Sequence, residues 1–321
     1  MDSKNAELVT IILTTLNSER YLARSIESCL NQTYDHFELV VIDGGSHDRT
    51  LDIIGSYKDP RISLFHQGDN VGKLPGALNL GMAKSRGEFL TWTQDDSWYD
   101  KRAIETMLGY LTVNPDVDLV YTDYWEMDAD GERLRYQRVN KPERVLEEDV
   151  VGQCFLFRRS VYDIIGAQNT DYFPVHEVPW RVRVAERFKV RPLHVPLLKY
   201  SVHNDSLTAR FGSWTLQRMM AKALMMEQQI SRSDYQRRVA RIDIDEAYDN
   251  YVLQGNFGAF WQCLVRGLLR NPTYLTDRGL VRLMLMSLTP WRGQSRMTMY
   301  KAWQERDAMK QQEFIAQIDN V

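Results

Sequence analysis

Apolar residues in the first 125 positions fall into two alternating spacings. Leu8–Thr14 is an apolar, β-branched run of the kind buried on both faces of a sheet. Glu19–Asn31 follows it, with Leu22, Ile26 and Leu30 at helical spacing. The alternation then repeats. Phe37–Ile42 precedes a helix that Asp48 can cap and that runs to about Tyr57, and Ile62–His66 precedes Gly76–Lys84. Phe89–Thr93 precedes Lys101–Val113, and Asp118–Tyr124 is a fifth strand before an Asp130-Gly131 hairpin turn. Strands alternating with helices predict an α/β fold with a doubly wound, mostly parallel, Rossmann-like sheet. Such sheets bind ligands beyond the carboxyl ends of their strands.

The pattern changes after this. From Lys141 to Thr208 it is irregular, with short helices expected near Arg159–Ile165 and Pro179–Phe188. From Thr215 onward it is nearly all helical, with breaks at Asn271-Pro272 and Thr289-Pro290. Charge shifts at the same place: residues 1–209 carry 24 basic and 32 acidic side chains, and residues 210–321 carry 16 and 11. We therefore expect a catalytic and nucleotide-binding domain over 1–209 and a helical region over 210–321. The three cysteines, Cys29, Cys154 and Cys263, are odd in number and widely spaced, which excludes a disulfide scaffold or a cysteine zinc site and fits a reducing compartment. The polar start and the short, threonine-rich first apolar run read as a strand, not a secretory signal. No stretch approaches the ~18 apolar residues of a membrane span. The expected location is cytoplasmic, with peripheral contact at the inner face of the membrane as one option.

Three polar clusters each follow a strand. Thr14, Asn17 and Glu19 follow the first, Asp43-Gly44-Gly45-Ser46 the second, and Gln94-Asp95-Asp96-Ser97 the fourth. Taken singly, Asn17 and Ser46 read as loop or cap residues and Asp43 as the close of a turn. Two adjacent carboxylates past a buried strand are harder to explain that way, because like charges held close cost energy unless a cation or donors compensate. Mg²⁺ or Mn²⁺ binds through one or two carboxylates plus substrate phosphates.

At this point the sequence resembles the family 2 glycosyltransferases, with their GT-A fold, over roughly residues 7–210. The segments that carry the resemblance are TTLNSERYLARSIES, VVIDGGSHDRT, DNVGKLPGALNLGMAKSRGEFL, TQDDSW, GQCFLFRRSVYDIIG, HEVPWRVR and YSVHNDSLT. The resemblance implies an inverting enzyme that moves a sugar from a nucleotide diphosphate to a hydroxyl of a glycan or lipid-linked acceptor, in polysaccharide or glycoconjugate synthesis. Thr14, Asn17 and Glu19 match the first donor-site segment, and Asp43 matches the aspartate that reads the base. A carboxylate opposite a uracil N–H favours a UDP-sugar. Asn70, Gly72 and Asn79 match the segment lining the nucleotide pocket, where Lys73 is either a phosphate contact or a solvated lysine. In the metal motif Gln94 stands at the first Asp position, Asp96 at the metal-ligand position and Ser97 at the last, so one carboxylate with the diphosphate and water would hold Mn²⁺ or Mg²⁺. Asp95 would contact ribose or orient its neighbour. His203, in a segment where Ser201 replaces an arginine, would complete the metal shell or touch the diphosphate. His176 and Glu177 stand where the family has a Glu-Asp pair, which makes Glu177 the expected general base or, alternatively, a helix cap. Trp180 would pack on a sugar face or in the core, with His176 beside it near the acceptor.

In the C-terminal region Phe257, Phe260, Trp261, Leu264 and Leu268 share a helical face, and Arg266 and Arg270 are four apart. Trp261–Lys301 holds seven basic residues and one acidic, Asp277, interleaved with Leu280, Leu283, Met284, Leu288 and Trp291. This suits an interfacial helix on anionic lipid through 251–301, a cap on the catalytic domain, or a homodimer contact. Nucleic acid is not an expected partner. A dinucleotide oxidoreductase would need G-x-G-x-x-G after a strand, and a nucleotidyltransferase a glycine-rich phosphate loop after the first strand; neither is present. A catalytically silent sugar-nucleotide-binding or scaffold protein is the remaining rival.

Overall fold

In a computed structural model the described residues are 7–68, 70–146, 151–288, 296–299, 301–302, 305 and 309. The chain divides into two compact units, Met1–Ser206 and Leu207–Val321.

The first unit is built on a nine-stranded sheet. Its strands are β1 Val9–Thr15, β2 Phe37–Asp43, β3 Ile62–His66, β4 Phe89–Gln94, β5 Trp98–Tyr99, β6 Leu119–Met127, β7 Arg133–Gln137, β8 Phe155–Arg158 and β9 Val190–Ser201. The spatial order is β3-β2-β1-β4-β8-β6-β9-β5, with β7 hairpinned onto β6. β3, β2, β1 and β4 run parallel, β8 runs against β4 and β6, and β6 and β9 are parallel again. The chain winds from β1 outward to β3 and then returns to place β4 on the other side of β1. The β1/β4 junction is therefore the switch point, where a crevice opens at the carboxyl ends.

Alternation along β1 explains the two layers. Val9, Ile11 and Leu13 face a core with Leu22, Ile26 and Cys29 of helix α1 (Leu22–Leu30). Ile104, Met107, Leu108 and Leu111 of a later helix fill the same core. Ile12 faces the opposite side, where Gly81 of helix α3 (Lys73–Lys84) lies so close that a Cβ would come within 2.5 Å of Ile12 Cγ2. The remaining helices of this unit are α2 Thr50–Ser56, α4 Ala103–Val113, α5 Arg159–Ile165 and α6 Glu177–Arg187.

The segment expected to be irregular is more ordered than its sequence pattern. β8 and the twelve-residue β9 lie within 141–208. β9 escapes a period-two reading because Pro192 and Pro196 interrupt it and its register against β6 shifts twice around Asp123. The two-residue β5, against β9, also carries no pattern that a sequence window can detect.

The second unit is helical: α7 Leu207–Phe211, α8 Ser213–Met226, α9 Arg232–Asp249, α10 Phe257–Arg270 and α11 Arg278–Ser287, with a π-turn at Asn250–Gln254. Phe260 and Leu264 of α10 meet Tyr251, Val252, Leu280 and Leu283 in its core. The break expected at Asn271-Pro272 is present as a 3₁₀ turn. Thr289-Pro290 and Trp291 lie outside the described residues. Part of the apolar stripe lies in this core: Phe260, Leu264, Leu280 and Leu283 are buried, while Leu285 and Leu288 are exposed. Arg266 and Arg270 are bound to the fully buried Asp243, which Arg218 also meets at 2.6 Å. Among the described residues no helix is long and apolar enough to cross a membrane.

Candidate active site

The polar residues that follow β1, β2 and β4 are tied to one another at the carboxyl edge of the sheet. Asp43 ends β2, in register with Thr15 of β1 and His66 of β3. Its carboxylate accepts hydrogen bonds from the backbone N–H groups of Gly45 (3.1 Å) and Ser46 (3.1 Å), and His66 Nδ1 lies 3.3 Å away. The backbone N–H of Asn17 donates to Ser46 Oγ (2.9 Å), and Asn17 Oδ1 accepts from the backbone of His47 (2.8 Å). Asn17 holds a left-handed φ of 52°, a conformation these side-chain bonds sustain. Glu19 joins the same frame, its Oε2 accepting from the Arg49 backbone (3.1 Å) while its own N–H donates to Asp48 (3.0 Å). Thr14, near the end of β1, is buried beside Ile42 and Gln94.

Asp95 crosses the switch point. Its Oδ2 accepts from the Leu16 backbone at 3.2 Å, fastening the end of β4 to the loop after β1. Burial, and then the neighbouring Asp96 charge, push the Asp95 carboxyl up to about 6. Asp96 points elsewhere. Its Oδ2 lies 3.0 Å from His203 Nε2, and its Oδ1 accepts from Ser97 Oγ at 3.1 Å. The His203 ring stacks on Tyr21, with centroids 4.5 Å apart, and its Nδ1 is buried without a hydrogen-bond partner. Residues far apart in sequence thus bring one carboxylate and one imidazole together. Among the described residues no cluster of three or more His, Cys, Asp or Glu could hold a metal, so any ion here would draw its other ligands from substrate or water.

Glu177 opens α6 as its first residue. Its Oε1 accepts from the indole N–H of Trp92 on β4 (3.0 Å), and its Oε2 pairs with the buried Arg181 at 2.6 Å. Trp92 lies two residues before the end of β4, so Glu177 is attached to the strand that delivers Asp95 and Asp96. Asp43 and Asp96 stand at the carboxyl ends of β2 and β4, the parallel strands on either side of β1, and Glu177 is tied through Trp92 to the strand that precedes Asp96.

Four of the expected residues are buried or engaged by other parts of the protein. Trp180 is buried, its indole N–H donating to Gly166 O at 3.1 Å and its ring edge-on to Trp92 and Phe157, so it has no face for a sugar. Asn79 spends both ends of its amide on the Gln168 backbone, at 2.9 Å each. The Lys73 ammonium lies over the Phe173 ring at 4.9 Å. His176 is also buried, and burial pushes its imidazole down to about 4. Asn70 and Gly72 lie at the turn into α3. Asn70 Oδ1 lies against Gly44, and Gly72 turns into α3 at φ 75°, where a Cβ would come within 3.1 Å of Thr170.

Residues 10–166 match the family model described as Glycosyl transferase family 2. That stretch, just under half of the chain, carries a glycosyl transferase family 2 domain. It is 33% identical over 139 residues to an uncharacterized glycosyltransferase of Haemophilus influenzae, a match covering 43% of this chain and 55% of that protein. In three dimensions it resembles S. aureus TarS 1-349 in complex with UDP-GlcNAc, with a TM-score of 0.56 and 13% identity over 94% of this chain and 92% of that one. It also resembles the mannosyltransferase PcManGT of Pyrobaculum calidifontis in complex with GDP-Man and Mn²⁺, with a TM-score of 0.58 and 16% identity over 97% and 88%. At these identities the two structures establish the GT-A fold.

Within this family 2 domain, the sequence did not reveal Tyr21, Arg24, Trp92 and Arg181. Arg24 places its guanidinium 3.5 Å from the centroid of Trp98 and within electrostatic reach of Asp96. Only Arg181, four residues after Glu177 on a helix, left a signal that spacing alone could have found.

Proposed function

We propose that this protein is an inverting glycosyltransferase that moves a sugar from a nucleoside diphosphate to an acceptor hydroxyl. The reading is carried by the attachment of Asp96 and Glu177 to the same strand, β4, beside the switch point. Asp43 faces the base. Its carboxylate has more lone-pair sites than its present donors use, which leaves room for a uracil N–H, and the donor class is UDP-sugar. TarS, crystallised with UDP-GlcNAc, supports a donor of this kind.

The acceptor oxygen attacks the anomeric carbon as Glu177 takes its proton. The bond from that carbon to the diphosphate oxygen breaks, and its electron pair leaves with the diphosphate. General-base catalysis of this type contributes about 10²–10⁴-fold. Asp96 and His203 would hold a divalent cation, for which an oxygen and a nitrogen donor suit Mn²⁺ better than the oxygen-seeking Mg²⁺, and PcManGT in complex with Mn²⁺ is consistent with this. When bound, the cation supplies charge neutralisation at the leaving diphosphate. Arg24 adds a fixed positive charge on the same side. The acceptor is a glycan or a lipid-linked hydroxyl, met at the face of α6.

Thermal unfolding with UDP-, GDP- and dTDP-sugars, each with Mn²⁺, Mg²⁺ or chelator, tests the donor and the ion together. We expect stabilisation by UDP-sugars that depends on metal in the wild type and is metal-independent in Asp96→Ala. Equal response of Asp96→Ala and wild type to Mn²⁺ would reject the ligand assignment. Indifference to every nucleotide sugar would favour the scaffold reading, and binding without turnover the silent sugar-nucleotide-binding one.

A further inference from the structure

We infer that Trp92 and Arg181 are positioning residues that hold the Glu177 carboxylate at a set distance from the strand end bearing Asp96. This rests on Glu177 being the base, as proposed above. The two carboxylate oxygens are held separately, Oε1 by the Trp92 indole N–H at 3.0 Å and Oε2 by Arg181 at 2.6 Å. Neither holder can follow a wandering side chain. Trp92 is 4% exposed, and its ring sits edge-on among Phe155 (4.4 Å), Phe157 (5.8 Å) and Trp180 (5.4 Å). Arg181 is 2% exposed, with its guanidinium 5.6 Å from the Phe155 ring centroid. Trp92 is paired in register with Ile12 at the centre of the sheet, and only Thr93, Gln94 and Asp95 separate it from Asp96. The stiffest part of the fold therefore sets how far the base stands from the leaving-group side. With one hydrogen bond on Oε1 and an ion pair on Oε2, lone pairs are left for the acceptor hydroxyl.

A buried indole needs some acceptor wherever it sits, so the test must separate positioning from simple satisfaction of a donor. Trp92→Phe keeps the aromatic packing and removes only the N–H. Turnover is read as nucleotide release during hydrolysis of UDP-, GDP- and dTDP-sugars in Mn²⁺. The expected result is a fall in kcat of about 10–100-fold, the range that misplacement of a reacting group produces. The donor KM should stay within about twofold. The acid limb of the kcat profile should move to higher pH, because the carboxylate loses a donor that favours its charged form. In a Glu177→Gln background the same substitution should change nothing further. Wild-type kcat with an unmoved acid limb would overturn the inference, as would an equal loss in both backgrounds. Full turnover by Glu177→Gln alone would defeat the base assignment itself, and absence of wild-type turnover would defeat the proposed reaction. Should Trp92→Phe fail to fold, Arg181→Lys replaces it, with a lower kcat and the same displaced limb expected.

Discussion

What a carboxylate can do depends on which groups already hold its oxygens. Asp95 is spent on the Leu16 backbone and raised by burial beside Asp96, which suits a strut more than a ligand. Asp96, whose carboxylate meets His203 and Ser97, is the better candidate ligand. The buried His176 gives a direct test. Its imidazole is held down to about 4 against an ordinary value near 6.5, so between these pH values the unfolded chain binds a proton that the folded chain refuses. Stability therefore falls as pH drops from about 6.5 towards 4, by an amount on the order of 3 kcal/mol at most. In His176→Phe the loss over this window should be shallower, as read from urea midpoints at each pH; an unchanged slope would show that another group titrates. Asp43, Asp96, His203 and Glu177 were legible because a carboxylate or imidazole in a family-like segment stands out in a sequence. Trp92 was not legible, because a tryptophan inside a strand looks like core until its N–H is seen to point at Glu177.

At the scale of elements, the sharp turn into α3 sets where Asn70 and Gly72 stand. Gly76 has no room for a side chain: a Cβ would lie 2.5 Å from Val71 O and 2.6 Å from Gln67 Nε2. Gly76→Ala should destabilise the protein by about 1–3 kcal/mol and raise the donor KM, since Asn70 and Gly72 must shift with the turn. A stability curve and KM matching wild type would show that the turn yields freely. The strand–helix alternation of β1 to α4 was readable because each element is long and evenly spaced. β8, β9 and β5 were not, since prolines, bulges and a two-residue length remove the period on which such a reading depends.

The two units differ in what holds them together. The first relies on a sheet buried on both faces, and the second has a charge cluster at its heart: Asp243, fully buried, with Arg218, Arg266 and Arg270 around it and Glu246 adjoining. Removing the central carboxylate leaves three guanidinium groups facing one another. Asp243→Ala should cost about 3–5 kcal/mol, seen as early loss of helical signal on heating, while Arg266→Ala alone should cost less because Arg266 is half exposed. Equal effects would show that the cluster is a surface feature. In the sequence these arginines read as part of a basic stripe suited to lipid, a cap or a second subunit, because charge counts along a chain cannot show that Asp243, more than twenty residues earlier, lies against them. For the whole molecule, the central claim is a single displacement at the β4 rim, and stereochemistry tests it most directly. Proton NMR of the sugar first released during hydrolysis of an α-linked UDP-sugar, recorded before mutarotation, should show the β-anomer, with no release by Glu177→Gln. An α-anomer formed first would contradict the account.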